Sequence, residues 1–310
     1  MSDSGAAADL LETSANDADS ESFGIDVAPF ASSIKTIGTN AAPIRTYATA
    51  ARAIPMGPQP IVIGGSPAGS YDPLSNRADV KTALYAAQAH AQDVLQSIDS
   101  LHAWADGGAT EMVGQITTPL QTARAVLERV PSGGTLSPED AQTIYTQIQL
   151  AVIYIQLVQM VISQIANSVR SFTTQILNDH ETLARGPLAL AQVVEEVGRQ
   201  INADALPYII NPLSRGIGET ILQIGRTFIA AATQTSAVIG NAMTEHEAMR
   251  AAATALANAS ETARAKVEAA HNAVARADSA SLSVVMRRLN LNSAIASWNQ
   301  FADFFTRSGL

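Results

Sequence analysis

The chain has 310 residues, of which 28 are acidic and 19 basic, giving a formal charge of −9, and only 5% are aromatic. That balance excludes a surface that tracks nucleic-acid phosphates, which needs local positive charge; the longest basic cluster is the pair Arg287 and Arg288. With no cysteine there is no disulfide, thiolate metal site or cysteine nucleophile, and so few aromatics suit a thin, alanine-lined core.

Residues 1–27 are expected to form a disordered acidic tail, because they hold too few large apolar groups to offset the entropy of ordering. No Lys or Arg precedes Lys35, so the basic and apolar regions of a secretory signal are missing there. Ile34, Ile37, Ile44 and Tyr47 predict a helix from about Ala28 to Ala53, stopped by Pro55. From Pro55 to Pro73 the chain is rich in Pro and Gly, and Ile61-Val62-Ile63 followed by Gly64-Gly65-Ser66-Pro67 reads as a connector loop.

From Ala78, the residues Val80, Leu84, Ala87, Ala91, Val94, Ile98 and Leu101 alternate by four and three, which is a heptad seam. Gly107-Gly108 should break it, and Met112, Ile116, Leu120, Ala123 and Leu127 predict a second helix kinked at Pro119. Ser137-Pro138-Glu139-Asp140 is the strongest helix start: a capping hydroxyl, Pro at the first position and carboxylates over the free N–H groups. Ile144 through Ile176 then keep the heptad for more than four repeats. Leu183, Leu190, Val194, Val197 and Ile201 stay in phase across Gly186-Pro187, so this rod should bend there and continue to about Ala203, on the order of 100 Å in all.

Leu206-Pro207-Tyr208-Ile209-Ile210-Asn211-Pro212-Leu213, bounded by Gly216 and Gly218, reads as a turn with an apolar tip. Beyond it Leu222, Phe228, Ile229, Val238 and Ile239 lead into an alanine-rich seam from Met249 to Val284. Asn290 and Asn292 mark a bend before a last amphipathic helix with Leu291, Ile295, Trp298, Ala302 and Phe305. The fold expected is all-α: an elongated bundle of about five helices, with two very long antiparallel helices and a small head between them.

Catalytic chemistry is hard to assemble from these residues. His90, His102, His180, His246 and His271 are dispersed, none in a ligand pattern, and are expected at solvated helix positions. Asp179-His180-Glu181 and Glu245-His246-Glu247 place neighbours on different helix faces. The Gly64–Ser70 segment lacks the Gly-Lys-Ser/Thr ending of a phosphate loop. No convergent acid, base, nucleophile or metal set emerges, so no enzyme activity, no cofactor and no small-molecule substrate is expected. The run from Ala141 to Val169 carries no charge and is long enough to cross a bilayer. Its glutamines, Gln142, Gln147, Gln149, Gln156, Gln159 and Gln164, instead favour the central helix of a soluble bundle, since each would be desolvated in lipid.

Three segments in this order resemble the α-helical pore-forming toxins that include haemolysin BL, the non-haemolytic enterotoxin components and cytolysin A. They are Ile44-Arg45-Thr46-Tyr47 with Gln59-Pro60, then Ser171-Phe172-Thr173-Thr174-Gln175-Ile176-Leu177-Asn178-Asp179 with Leu183, and the closing Ala294-Ile295-Ala296-Ser297-Trp298-Asn299-Gln300-Phe301. The resemblance covers about residues 30–308. It implies a helical tail bundle (residues 28–202 and 219–310) carrying a head at 203–218 that meets membrane or partner components. Leu206, Pro207, Tyr208, Ile209, Ile210 and Leu213 are then the membrane or partner contacts, and Gly186, Pro187, Gly216 and Gly218 the hinges. A head this small suits a secreted toxin component that acts with other components or with copies of itself on a target-cell membrane, exported without a classical signal peptide. The alternative is a non-toxic coiled-coil scaffold or secretion-system accessory protein.

Overall fold

The computed structural model describes residues 21–131, 134–186 and 188–308. Eight α-helices lie among them: α1 (Val27–Ala53), α2 (Ala78–Ala103), α3 (Ala109–Glu128), α4 (Pro138–His180), α5 (Leu190–Ile210), α6 (Arg215–Arg276), α7 (Leu282–Arg288) and α8 (Leu291–Ser308). Between α1 and α2 stands a two-stranded antiparallel hairpin, β1 (Gln59–Ile63) and β2 (Ser66–Tyr71). The class is all-α, as expected, and α4 and α6 are its two longest helices, at 43 and 62 residues.

The eight helices exceed the expected number chiefly because two expected rods are cut. α4 gives way to a π-helical turn at Glu181–Arg185, and Gly186 is extended (ψ −177°), so the run from Ser137 does not continue as one helix to Ala203. The alanine-rich seam stops at Arg276 instead of reaching Val284. There Asp278 and Ser281 lock a turn: the Asp278 carboxylate accepts from the Ser281 N–H at 2.8 Å and from its hydroxyl at 2.6 Å. Asn290, with a left-handed φ of 46°, separates α7 from α8 as its position suggested. Pro119 lies inside an uninterrupted α3.

The chain forms two compact units. The first takes the described parts of Met1–Lys35, Ser100–Asn167 and Ala252–Leu310. In it α4 and α6 run antiparallel, with the Tyr145 hydroxyl donating to the Ala277 carbonyl and Ser163 meeting Ser260 at 3.4 Å. An aromatic cluster of Phe30, Trp104, Trp298, Phe301 and Phe305, in edge-on and tilted contacts, supplies bulk that the alanine seams lack.

The expected disordered tail is corrected at its end. Phe23 and Ile25 are buried, and the Phe23 carbonyl accepts the Trp298 indole N–H at 2.7 Å. A buried indole donor needs an acceptor, and this segment provides it. Residues 1–20 lie outside the described residues.

The second unit comprises Thr36–Asp99 and the described parts of Ser168–Ala251. Here α2 packs along α1, and the Gln88 amide donates to the Ala51 and Ile54 carbonyls at 3.1 and 2.8 Å, satisfying groups that the end of α1 leaves free. Deep between α1, α2 and α4, the Asp179 carboxylate accepts from the Tyr47 hydroxyl and from His90 Nδ1, each at 2.8 Å.

The start of α4 is as the sequence predicts: the Ser137 hydroxyl accepts the Asp140 N–H at 3.1 Å and donates to its carboxylate at 2.7 Å. Replacing Ser137 with Ala should cost about 1 kcal/mol in chemical denaturation. Equal stability of the variant and the wild type would show that this cap does not hold the helix.

Candidate functional site

The apolar segment singled out from the sequence lies at one end of the second unit, where α5 turns into α6. It is more helical than the sequence reading allowed. α5 continues through Pro207 to Ile210, and only Asn211–Ser214 form the turn. Asn211 organises that turn, its side-chain oxygen accepting the Leu213 N–H at 3.0 Å and its carbonyl the Ser214 N–H at 3.1 Å.

Spacing on α5 decides which side chains face out. Ile201, Ala205 and Ile209 recur every fourth residue on the face toward α6. A Cβ added at Gly218 would come within 2.6 Å of Ile209 Cγ1 and 2.9 Å of the Ala205 carbonyl oxygen, and one at Gly225 within 2.5 Å of Ile201 Cδ1. Gly218 lets the two helices touch backbone to backbone, and Gly225 makes room for the Ile201 side chain. Leu206 and Ile210 point away from that face and Leu213 stands in the turn: Ile210 is 71% exposed and Leu213 97%, with Leu206, Pro207 and Tyr208 also exposed.

Ile209 is half-buried and packs against Gly218 of α6. Gly216 and Gly218 lie in the first turn of α6, where Gly218 serves close packing. Gly186 does end a helical segment, and an added Cβ there would meet the Glu181 carbonyl oxygen at 2.9 Å. Pro187 lies outside the described residues.

The sequence reading missed a second contributor. The segment read as a connector loop is the β1–β2 hairpin, closed by Gly64 and Gly65, both at positive φ (58° and 84°), the pattern of a type I′ turn. It is tied to the tip by the Tyr71 hydroxyl, which donates to Asp204 at 2.8 Å, and by Ile63, whose side chain lies against Gly216. Val62 and Ile63 are exposed and extend the apolar surface. Three consecutive β-branched residues followed by Gly-Gly were the available signal.

The histidines differ from expectation too. His180 and His246 are buried rather than solvated, and His180 Nδ1 finds no hydrogen-bond partner among the described residues. Burial, with Arg185 adding to it, pushes the His180 imidazole below its ordinary range. Burial pushes the Asp179 carboxyl up, with His90 and Tyr47 opposing, and holds the Tyr47 phenol far above its ordinary value. Among the described residues no three His, Asp or Glu side chains are grouped so as to hold a metal ion. The arrangement offers an apolar contact surface on a tightly packed helical hairpin, and Tyr47, His90 and Asp179 satisfy one another as a structural set.

No family model and no curated protein sequence matches the chain. Solved structures do align with it over most of its length. The soluble form of SmhB, from the tripartite α-pore-forming toxin Smh of Serratia marcescens, is 13% identical, with 91% of each chain covered and a TM-score of 0.42. The SmhB pore is 14% identical, covering 90% of this chain and 98% of that one, with a TM-score of 0.44. The HblL1 toxin component of Bacillus cereus is 11% identical, covering 93% of this chain and 98% of that one, with a TM-score of 0.42. At these identities and scores the alignments assign no activity to this chain.

Two outcomes follow from the packing. Gly218→Ala should destabilise the protein by roughly 1–3 kcal/mol, although alanine is the better helix former, because the backbone of α5 stands where the methyl would go; a more stable variant in thermal melts would contradict the close approach. The second concerns pH. With its folded value depressed, His180 stays neutral in the folded protein while the unfolded chain protonates it near pH 6.5. Its contribution is therefore complete above about pH 6.5 and is lost as the pH falls toward the depressed folded value. Asp179, raised, works in the opposite sense, favouring the folded state when protonated. His180→Gln should shrink the stability difference between pH 7.5 and 5.5 measured by urea denaturation; an undiminished difference would rule out a neutral buried imidazole.

Proposed function

We propose that this chain is the soluble form of one component of a multi-component α-helical pore-forming toxin, secreted and delivered to a target-cell membrane. There the end of its second unit makes the first contact, before rearrangement with partner protomers. The observation that carries this reading is the apolar surface of Leu206, Tyr208, Ile210 and Leu213 at the α5–α6 turn, continued by Val62 and Ile63 of the hairpin. Burying a Leu or Ile side chain fully is worth roughly 1.5–3 kcal/mol, so several acting together hold a protein to a bilayer surface. The backbone there is already paired within helices and a strand pair, which lowers the penalty for leaving water. The ion pair that follows the turn, Arg215 with Glu219 at 2.9 Å, is solvent-exposed on the first turn of α6.

The resemblance of the three sequence segments to pore-forming toxin components supplies the class, and the small size of the tip supports action with other components. A coiled-coil scaffold or secretion accessory would use the same heptads, but it gives no reason for four large apolar side chains to stand in solvent at a turn. The need for no cofactor or small-molecule substrate belongs to the same proposal.

Leu213→Asp combined with Ile210→Asp tests it, because both side chains are exposed and Ile209, which packs inward, is left alone. Binding to phosphatidylcholine–cholesterol liposomes in a flotation assay should fall about tenfold or more, with the thermal midpoint unchanged. Undiminished flotation of the folded variant would sink the reading, as would the absence of any cell lysis when the wild type is combined with the products of adjacent genes.

A further inference from the structure

A second apolar surface lies in the first unit, on α4. Leu150, Ile153, Leu157 and Met160 are 39%, 47%, 37% and 59% exposed and follow one another at intervals of three, four and three. That is the a and d spacing of a coiled-coil seam, turned outward. The same two rows continue as uncharged polar residues, Thr143 and Thr146 before the stripe and Gln164 and Asn167 after it, all at least partly exposed. Nothing from Ala141 to Val169 is charged.

The face has a symmetry that limits what it fits. It is palindromic about Ile155. Laid antiparallel on a second copy of itself, Ile153 meets Leu157, Leu150 meets Met160, Thr146 meets Gln164 and Thr143 meets Asn167. Each layer then joins an a to a d position, as antiparallel coiled coils require. Apolar layers fill the centre, with hydroxyl and amide layers outside them.

Charge leaves this face open to a second copy and selects the same orientation. A molecule carrying −9 repels its own copies, and an uncharged stretch of helix is where that repulsion is least opposed to contact. Antiparallel pairing sets the two acidic first turns, Glu139 and Asp140, at opposite ends, where parallel pairing would place them together. It also opposes the helix dipoles. A bilayer is the poorer occupant, because Gln149, Gln156 and Gln164 stand exposed beside the stripe and would lose water without gaining a partner.

We infer that the outward face of α4 between Thr143 and Asn167 is a self-association surface, through which two copies of the soluble protein pair antiparallel about a two-fold axis at Ile155. The inference does not depend on the membrane role of the tip. Only four apolar side chains per copy meet, so the dimer belongs among weak, reversible interfaces. Occupation of the face would keep the stripe from solvent while the protein is stored or carried.

The test uses sedimentation velocity across a concentration series together with charge exchange. The wild type should show a reversible monomer–dimer equilibrium. Ile153→Glu alone and Leu157→Lys alone should each weaken it about tenfold or more, with helicity and thermal midpoint retained. Mixing the two variants should restore dimerisation, since one layer then pairs Glu with Lys and the other keeps Ile with Leu. The chain has no native cysteine, so Thr146→Cys and Gln164→Cys report orientation: a short bismaleimide should link the mixture and not either variant alone. A wild type that stays monomeric up to several hundred micromolar, on the order of the weakest interfaces, overturns the inference. So does Thr146→Cys linking to itself, which marks parallel pairing. Loss of liposome binding by Ile153→Glu, with sedimentation unchanged, would give the face to lipid instead.

Discussion

The absence of a side chain at Gly218 and Gly225 is the constraint on which the rest of the candidate site depends. Because α6 carries no Cβ at those two points, α5 can lie against it with Ile201, Ala205 and Ile209 filling the contact. A helix with one face fixed has no freedom left in the other, so Leu206 and Ile210 are held in solvent, and the turn that follows carries Leu213 with them. Exposed apolar groups are ordinarily disfavoured at a turn that could bury them by rotating α5. Here such a rotation would move Ile209 and Ile201 out of a contact that only glycine permits. The exposed tip is thus a consequence of close packing behind it.

The two ends of the packing problem are solved differently in the two units. The first relies on aromatic bulk, with Trp298, Phe301 and Trp104 grouped near the buried N-terminal segment at Phe23. The second has a polar centre, where Asp179 is held by Tyr47 and His90 and His180 is buried beside it. A buried carboxylate costs more than an apolar residue of the same volume unless its hydrogen bonds are made. Asp179 has a partner on each oxygen and joins three helices through them. It lies one residue before His180, the last residue of α4, and the π-helical turn begins directly after. Polar specification and loss of regular helix therefore coincide at one place.

Much of this was legible in the sequence, for identifiable reasons. Four-three spacing identified α2, α4 and the long return helix, because burial of one helical stripe leaves a periodic trace. Ser137-Pro138 marked the start of α4, since capping is local chemistry. The same logic failed where the deciding contact was distant. Pro207 and the flanking glycines looked like turn formers, yet Pro207 lies within α5, and Gly218 is demanded by Ile209 and the Ala205 carbonyl on another helix. The seam toward Val284 kept its phase on paper beyond the point where Asp278 and Ser281 close a turn. A tail counted as acidic concealed Phe23, whose carbonyl answers an indole 275 residues away. The run from Ala141 to Val169 is legible as uncharged, and its buried heptad row as periodic, but neither shows that Leu150, Ile153, Leu157 and Met160 stay exposed.

On the proposed function the α5–α6 turn, and not the apolar stripe of α4, meets the membrane. A chain without cysteine allows a single environment-sensitive fluorophore to be placed at Leu213 in one variant and at Met160 in another. On mixing with liposomes, the probe at position 213 should shift to the blue and gain intensity, and the probe at 160 should not change. A shift confined to position 160, or none at 213 while the protein floats with the liposomes, would contradict it.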